Sequence, residues 1–260
     1  MNPILEVKNV SRRFGGLIAV DDVSFNVSSG EILSVIGPNG AGKSTLFKLI
    51  SSFLKCSSGE VQLLGQRISN LSPHEVARKG VVRTFQETTI FKSMTVLENV
   101  IVAHQIRAKA NLLDFFLRTP RAKSDEGRFK ESALNIIDLM GLTEFKDEIA
   151  TSLPQGYLRA LGMSIGLATS PKLLLLDEPF AGMNHEETMR MVSTVGRLRD
   201  ELRLTILLVE HDMPAVMKIS DRIVVLNFGQ KIAEGSPEAI QENPRVIEAY
   251  LGSEDTALGI

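Results

Sequence analysis

The run Gly37-Pro38-Asn39-Gly40-Ala41-Gly42-Lys43-Ser44-Thr45 constrains this chain more than any other stretch. It fulfils G-x-x-x-x-G-K-[ST], follows the apolar run Ile32–Ile36 and opens a helical pattern at Lys43, so the motif stands between a strand and a helix. The bare pattern arises by chance in roughly one chain in a hundred of this length, and the flanking strand and helix make it a phosphate-binding loop. Glycines let successive backbone N–H groups turn inward around β- and γ-phosphates. The helix N-terminus contributes about 0.3–1 kcal/mol toward an anion there. Lys43 adds a full charge whose hydrogen bonds are worth roughly 1.5–3 kcal/mol. ATP is the implied ligand, with the Ser44 hydroxyl on Mg²⁺ and Thr45 near the α-phosphate.

Two later strand ends carry matching chemistry. In LLLLDEP, Leu173–Pro179, Asp177 falls at the carboxyl end of an apolar strand, where ligands gather in open parallel sheets. Asp177 is suited to the water shell of Mg²⁺, and Glu178 to the role of general base toward a water attacking the γ-phosphate. Taken alone, Asp-Glu-Pro after a strand is a turn; the upstream loop gives it a reaction to serve. Val209-Glu210-His211-Asp212 repeats the arrangement, and a neutral His211 imidazole can bridge the γ-phosphate and the water. A helix-capping role explains His211 equally well at this point. Gln86, just after strand Val81–Phe85, is a further candidate contact to Mg²⁺ or water.

Around these motifs the chain alternates. Short strands are expected at ILEVKNV, VSFNV and Ile32–Ile36, then a helix from Lys43 to about Leu54 and a hairpin strand EVQLL between Gly59 and Gly65. Ser72-Pro73-x-Glu75 and Thr95-x-x-Glu98 are capping boxes, and Asn184 with Glu187 makes another cap. Residues from Thr95 to about Met140 read as a helical insert closed by Gly141. Within it, Arg107–Arg128 mixes Phe115, Phe116 and Leu117 with Arg118, Arg121 and Lys123, the composition of a solvated basic face or of a docking surface. After Pro154 come helix Tyr157–Ala168, strand Leu173–Asp177, helix His185–Leu202, strand Thr205–Val209, helix Met213–Ser220 and strand Arg222–Leu226. Such alternation means parallel β with crossover helices. A turn at Asn227–Gly229, strand Lys231–Glu234 and helices opened by Ser236-Pro237 and Asn243-Pro244 complete the chain.

Composition narrows the setting. The 29 Lys+Arg against 31 Asp+Glu leave no field drawing the chain to nucleic acid, so no nucleic-acid partner is expected. A lone Cys56 excludes an internal disulfide. The N-terminal residues show no secretory signal, and no apolar run approaches the roughly 20 residues of a membrane span.

These elements in this order resemble the nucleotide-binding subunit of an ABC transporter over almost the whole chain. FGGLIAVDDVSFNV, GVVRTFQETTIFKSMTVLENV, LLLLDEPFAGMN and EGSPEAIQENPRVIEAYLG are similar to the ATPase subunits of branched-chain amino-acid importers. The resemblance implies an α/β fold, a P-loop NTPase of the ABC ATPase type, with a mostly parallel core sheet, an N-terminal antiparallel β subdomain and a helical insert. One ATP-binding domain would span 1–260: 1–94 and 170–235 as nucleotide-binding core, 95–169 as helical subdomain, 236–260 as C-terminal helical extension. The family's pattern gives Phe14 the adenine stack, Gln86 the coupling loop, His211 the switch histidine, and Ala181, Gly182, Met183 and Asn184 the contact with a partner ATPase. It implies ATP and Mg²⁺, a second ATPase subunit in a heterodimer, two membrane permeases, an extracytoplasmic binding protein, and a peripheral position on the cytoplasmic membrane face. Related systems carry urea, amides or lipid polymers. A soluble ABC-type ATPase would ordinarily bring a second cassette or long coiled coils, and a P-loop kinase leaves Glu178 and His211 without a joint task.

The chain departs from the family at Leu153-Pro154-Gln155-Gly156-Tyr157, where the signature has L-S-G-G-Q. Pro154 has neither hydroxyl nor N–H, so donors worth about 1.5–3 kcal/mol are missing from a segment that reaches the partner's nucleotide. The expectation is an asymmetric dimer, in which the site built on Lys43 and Glu178 hydrolyses and the opposite composite site is weaker.

Overall fold

The computed structural model describes residues 3–84, 90–107, 114 and 119–257. The chain divides into two compact units, one of residues 1–83, 172–179 and 195–260, the other of residues 84–171 and 180–194.

The first unit holds both sheets. Strands β1 (Leu5–Phe14), β2 (Leu17–Val27), β4 (Ser58–Leu63) and β5 (Gln66–Arg67) form an antiparallel sheet in the order β2-β1-β4-β5. β1 and β2 run past the expected ends ILEVKNV and VSFNV because register shifts at Val7/Val10 and beyond keep the ribbon paired to its Gly15 turn. β4 begins one residue before Gly59, which is in the left-handed region beside a register shift of β1.

Strands β3 (Ile32–Ile36), β6 (Val81–Arg83), β7 (Leu173–Asp177), β8 (Thr205–Val209), β9 (Arg222–Asn227) and β10 (Gln230–Gly235) form the second sheet, ordered β10-β9-β3-β8-β7-β6. It is parallel except for the β9–β10 hairpin. β3, β7 and β8 are buried at every position, which is why their sequences are unbroken apolar runs. Far-apart residues tie β3 in: Gly30 N–H donates to Thr205 Oγ1 across 175 residues.

Helix α1 (Lys43–Ile50) packs Leu46, Phe47, Leu49 and Ile50 into the core beneath the antiparallel sheet. It stops short of Leu54, because Ser52 turns left-handed. Helix α2 (Pro73–Lys79) has the expected capping box on Ser72 and ends at left-handed Gly80. Cys56 packs against the core, where burial pushes its thiol up and away from reactivity.

In the second unit, α3 (Val96–Ala103) starts on the Thr95–Glu98 capping box, α4 covers Pro120–Leu139 and α5 covers Gln155–Ala168; the three pack on one another. Within the expected helical insert, α3 is followed by a 3₁₀ turn at His104–Arg107. His104 is buried there, bonded to the Val100 carbonyl and the Ser132 hydroxyl at 2.9 Å each. Phe115, Phe116, Leu117 and Arg118 lie outside the described residues; Arg121 and Lys123 are exposed. Helix α6 (His185–Leu202) begins where Asn184 and Glu187 exchange side-chain-to-backbone bonds at 3.0 Å. The chain ends in α7 (Met213–Ile219), α8 (Pro237–Gln241) and α9 (Pro244–Ala257). No helix among the described residues is long and apolar enough to cross a membrane.

Candidate nucleotide site

The sheet order places three strand ends side by side. β8 lies between β3 and β7, with Val209 paired to Val35 on one side and to Asp177 on the other. The glycine loop, Glu210-His211 and Asp177-Glu178 therefore leave the same edge of the sheet.

The loop's glycines are required by space as well as by backbone angle. Gly37 has φ 149°, and a Cβ there would be 2.1 Å from the Leu226 carbonyl oxygen. Gly42, with φ 100°, caps α1, and its Cβ would be 2.4 Å from the Ala19 oxygen. Ala41 is buried, whereas Asn39, Gly40 and Ser44 are exposed. Lys43 is buried and donates to the carbonyls of Gly37 at 2.6 Å and Pro38 at 3.0 Å. Burial lowers its pKa, and the charges of Glu178 and Asp177 pull it back up, so ammonium and carboxylates share one field. From α9, Tyr250 hydrogen-bonds with the Gly37 backbone.

Asp177 ends β7 with its side chain 1 % exposed. Oδ2 accepts from Arg83 Nη2 at 2.5 Å, while Oδ1 is buried without a hydrogen-bond partner among the described residues. Glu178 follows in the left-handed region, φ 50°, its N–H donating to the Val209 carbonyl at 2.9 Å. For a residue with a Cβ this backbone costs roughly 1–2 kcal/mol, and its effect is to turn the carboxylate out of the strand. His211 Nδ1 lies 4.0 Å from Glu178 Oε1 and 4.0 Å from Glu210 Oε2. Glu210 is buried and accepts the His211 N–H at 3.0 Å.

The expected residues Lys43, Asp177, Glu178 and His211 thus meet at one edge. Gln86 lies outside the described residues. Phe14 is 42 % exposed at the tip of the β1–β2 hairpin, with the Arg12 guanidinium 4.5 Å over its ring. No group of three or more His, Cys, Asp or Glu side chains able to hold a metal occurs among the described residues. The orphaned Asp177 Oδ1 and the exposed Ser44 hydroxyl are hard oxygen donors that fit a cation completed by phosphates and water.

In the second unit, Leu153 is buried while Pro154, Gln155 and Tyr157 are exposed. Pro154 is the N-cap of α5 and supplies no side-chain cap. The helix starts two residues earlier than expected because the Pro154 carbonyl accepts from Leu158 N–H. Tyr157 packs on Phe145, ring centres 4.4 Å apart and planes tilted by 44°. Gly182 approaches Gln155, and Pro154, Tyr157, Met183 and Glu187 line one groove. Sequence reasoning missed Arg83, Glu210 and Tyr250. A cation in the apolar run Val81-Val82-Arg83 was the available signal for the first, and an acid following the apolar run Thr205–Val209 for the second; nothing local marked Tyr250.

Residues 20–181 match the family model for the ABC transporter, and residues 230–256 match that for the branched-chain amino acid ATP-binding cassette transporter. BraF of Pseudomonas aeruginosa, a high-affinity branched-chain amino acid transport ATP-binding protein, is 44 % identical over 250 residues, covering 96 % of this chain and 98 % of its own. LivG of Escherichia coli K12, of the same description, is 42 % identical with the same coverage. Among solved structures, a nucleotide-free ATP-binding cassette from an ABC transporter superposes with TM-score 0.83 at 33 % identity, covering 96 % of this chain and 99 % of that one. The ADP conformation of MJ1267, an ATP-binding cassette of an ABC transporter, gives 0.83 at 32 %, covering 97 % and 100 %. With its phosphate loop, paired strand-end carboxylates and full-length relatives, this chain belongs to the ABC transporter family as an ATP-binding, ATP-hydrolysing subunit.

Proposed function

We propose that the chain powers a membrane importer of branched-chain amino acids by binding and hydrolysing ATP. The observation that carries the chemistry is the common field of Lys43, Asp177 and Glu178 at one sheet edge. The relatives named for branched-chain amino acid transport, together with the match of residues 230–256, support the substrate class.

In this reading, the amides of Gly37–Thr45 and the Lys43 ammonium hold the β- and γ-phosphates, and Phe14 stacks on adenine. Lys43 exchanges its two carbonyl partners for phosphate oxygens. Ser44 and Asp177, with Gln86, would hold Mg²⁺, Asp177 through water; when bound, the ion would supply positive charge beside the phosphates. Glu178 accepts a proton from the attacking water as its oxygen bonds to the γ-phosphorus; the bond to the β–γ bridging oxygen breaks, giving ADP and inorganic phosphate. His211, reaching Glu178 at 4.0 Å, orients the water and the γ-phosphate. Ala181–Asn184 contact a partner ATPase, and Leu153–Tyr157 cover the partner's nucleotide. A second, different ATPase, two permeases on the cytoplasmic membrane face and an external binding protein complete the system. Pro154 weakens the composite site that this chain's signature segment covers.

Two measurements test this. Purification of the tagged chain from detergent extract should yield two permeases, and leucine uptake by vesicles carrying that complex should require ATP on the side of this chain. Recovery of the chain with no membrane protein, or uptake indifferent to ATP, refutes the transport assignment. Pro154→Ser in the complex should raise turnover at the opposite composite site alone; no change there refutes the asymmetry.

A further inference from the structure

One buried charge takes no part in the scheme above. Arg83 ends β6 with its side chain 8 % exposed, beside an Asp177 side chain 1 % exposed. β6 runs parallel to β7 with Arg83 opposite Leu175, so the guanidinium reaches forward to the strand's end. A buried ion pair is a poor source of stability compared with apolar packing, which makes its position informative. The carboxylate is half committed: Oδ2 is held at 2.5 Å, and Oδ1 is as deeply buried with no partner among the described residues. Unsatisfied buried oxygens are rare in native proteins, and this one belongs to the last residue of β7, next to Glu178 and within the field of Lys43.

We propose that Arg83 is the counter-charge and positioning residue of Asp177: it fixes Oδ2, presents Oδ1 alone to the water shell of the divalent cation accompanying ATP, and limits how tightly that cation binds. The proposal rests on the assignment of Asp177 given above. Guanidinium and divalent ion share a single carboxylate whose side chain is 1 % exposed, where like charges repel more strongly than in solvent. The carboxylate is held in place by Arg83 before the ion arrives. After hydrolysis, the same repulsion favours departure of the ion with ADP.

The test titrates Mn²⁺ into the full chain saturated with a non-hydrolysable ATP analogue and reads free Mn²⁺ by electron paramagnetic resonance. Arg83→Met, which removes the charge and keeps an unbranched stem, should tighten Mn²⁺ binding by roughly tenfold. Arg83→Lys should stay within about twofold of the parent, because the charge remains. Asp177→Asn should weaken binding in either background. An unchanged or weaker Mn²⁺ affinity in folded Arg83→Met overturns the role given to Arg83; an Asp177→Asn variant with parental affinity overturns the Asp177 assignment instead. If Arg83→Met does not fold by circular dichroism, Arg83→Gln decides on the same criterion. A Lys variant that tightens as far as the uncharged ones also overturns the proposal, since charge would then be irrelevant.

Discussion

The ends of β7 and β8 are neighbours built to one plan with different supports. Each closes an apolar strand with a buried acid, Asp177 or Glu210, and follows it with an outward titratable side chain, Glu178 or His211. Asp177 is steadied by a side chain 94 residues away in sequence. Glu210 is steadied at least in part by the N–H of the next residue. The outward groups differ as well: Glu178 is 26 % exposed on a left-handed backbone, whereas His211 is 64 % exposed. The base role proposed for Glu178 gains from partial shielding and a fixed direction, and the bridging role proposed for His211 from reach.

Substitutions should expose that division. The largest effect is expected from Glu178→Gln, which should lower steady-state ATP hydrolysis in the assembled complex by about 10³-fold or more while a fluorescent ATP analogue still binds. Parental turnover would make the two strand ends interchangeable. His211→Ala should reduce turnover by about 10²-fold, and a fall as deep as that of Glu178→Gln would assign the histidine a share in proton transfer. Glu210→Ala should destabilise the chain by about 2 kcal/mol in denaturant unfolding, since it strands backbone donors, whereas Glu210→Gln keeps an acceptor and should cost less than half as much. The smallest change is expected from Glu178→Gly, which should stabilise the fold by roughly 0.5–1 kcal/mol through relief of the left-handed backbone, at the expense of activity. The same substitution at Glu210 should only destabilise.

Most of the frame was readable in the sequence because its signals are local. Ser72, Thr95 and Asn184 each had an acidic partner three residues on, and all three cap helices as expected. β7 and β8 were bounded to the residue, since unbroken Leu-, Ile- and Val-rich runs ending in acids leave little choice. Lys43, Asp177, Glu178 and His211 were legible for the same reason: each belongs to a short motif at a strand end. What escaped depends on contacts between distant residues. Arg83 meets Asp177 only because β6 pairs with β7, and Tyr250 meets Gly37 only because α9 returns beside the loop. The early end of α1 coincides with the left-handed backbone of Ser52, a choice that helix propensity does not register.

The placement of β3 has a consequence for the birth of the protein. Its partners on both sides, β8 and β9, are synthesised last among the parallel strands, and the bond from Gly30 to Thr205 spans 175 residues. At roughly 5–20 residues per second, a ribosome needs on the order of ten to thirty seconds to deliver that second half. Throughout that interval the strand leading into the phosphate loop is an unpaired apolar segment. Until β8 and β9 are made the ATP site cannot assemble, and β3 is the segment that chaperones would be expected to shield.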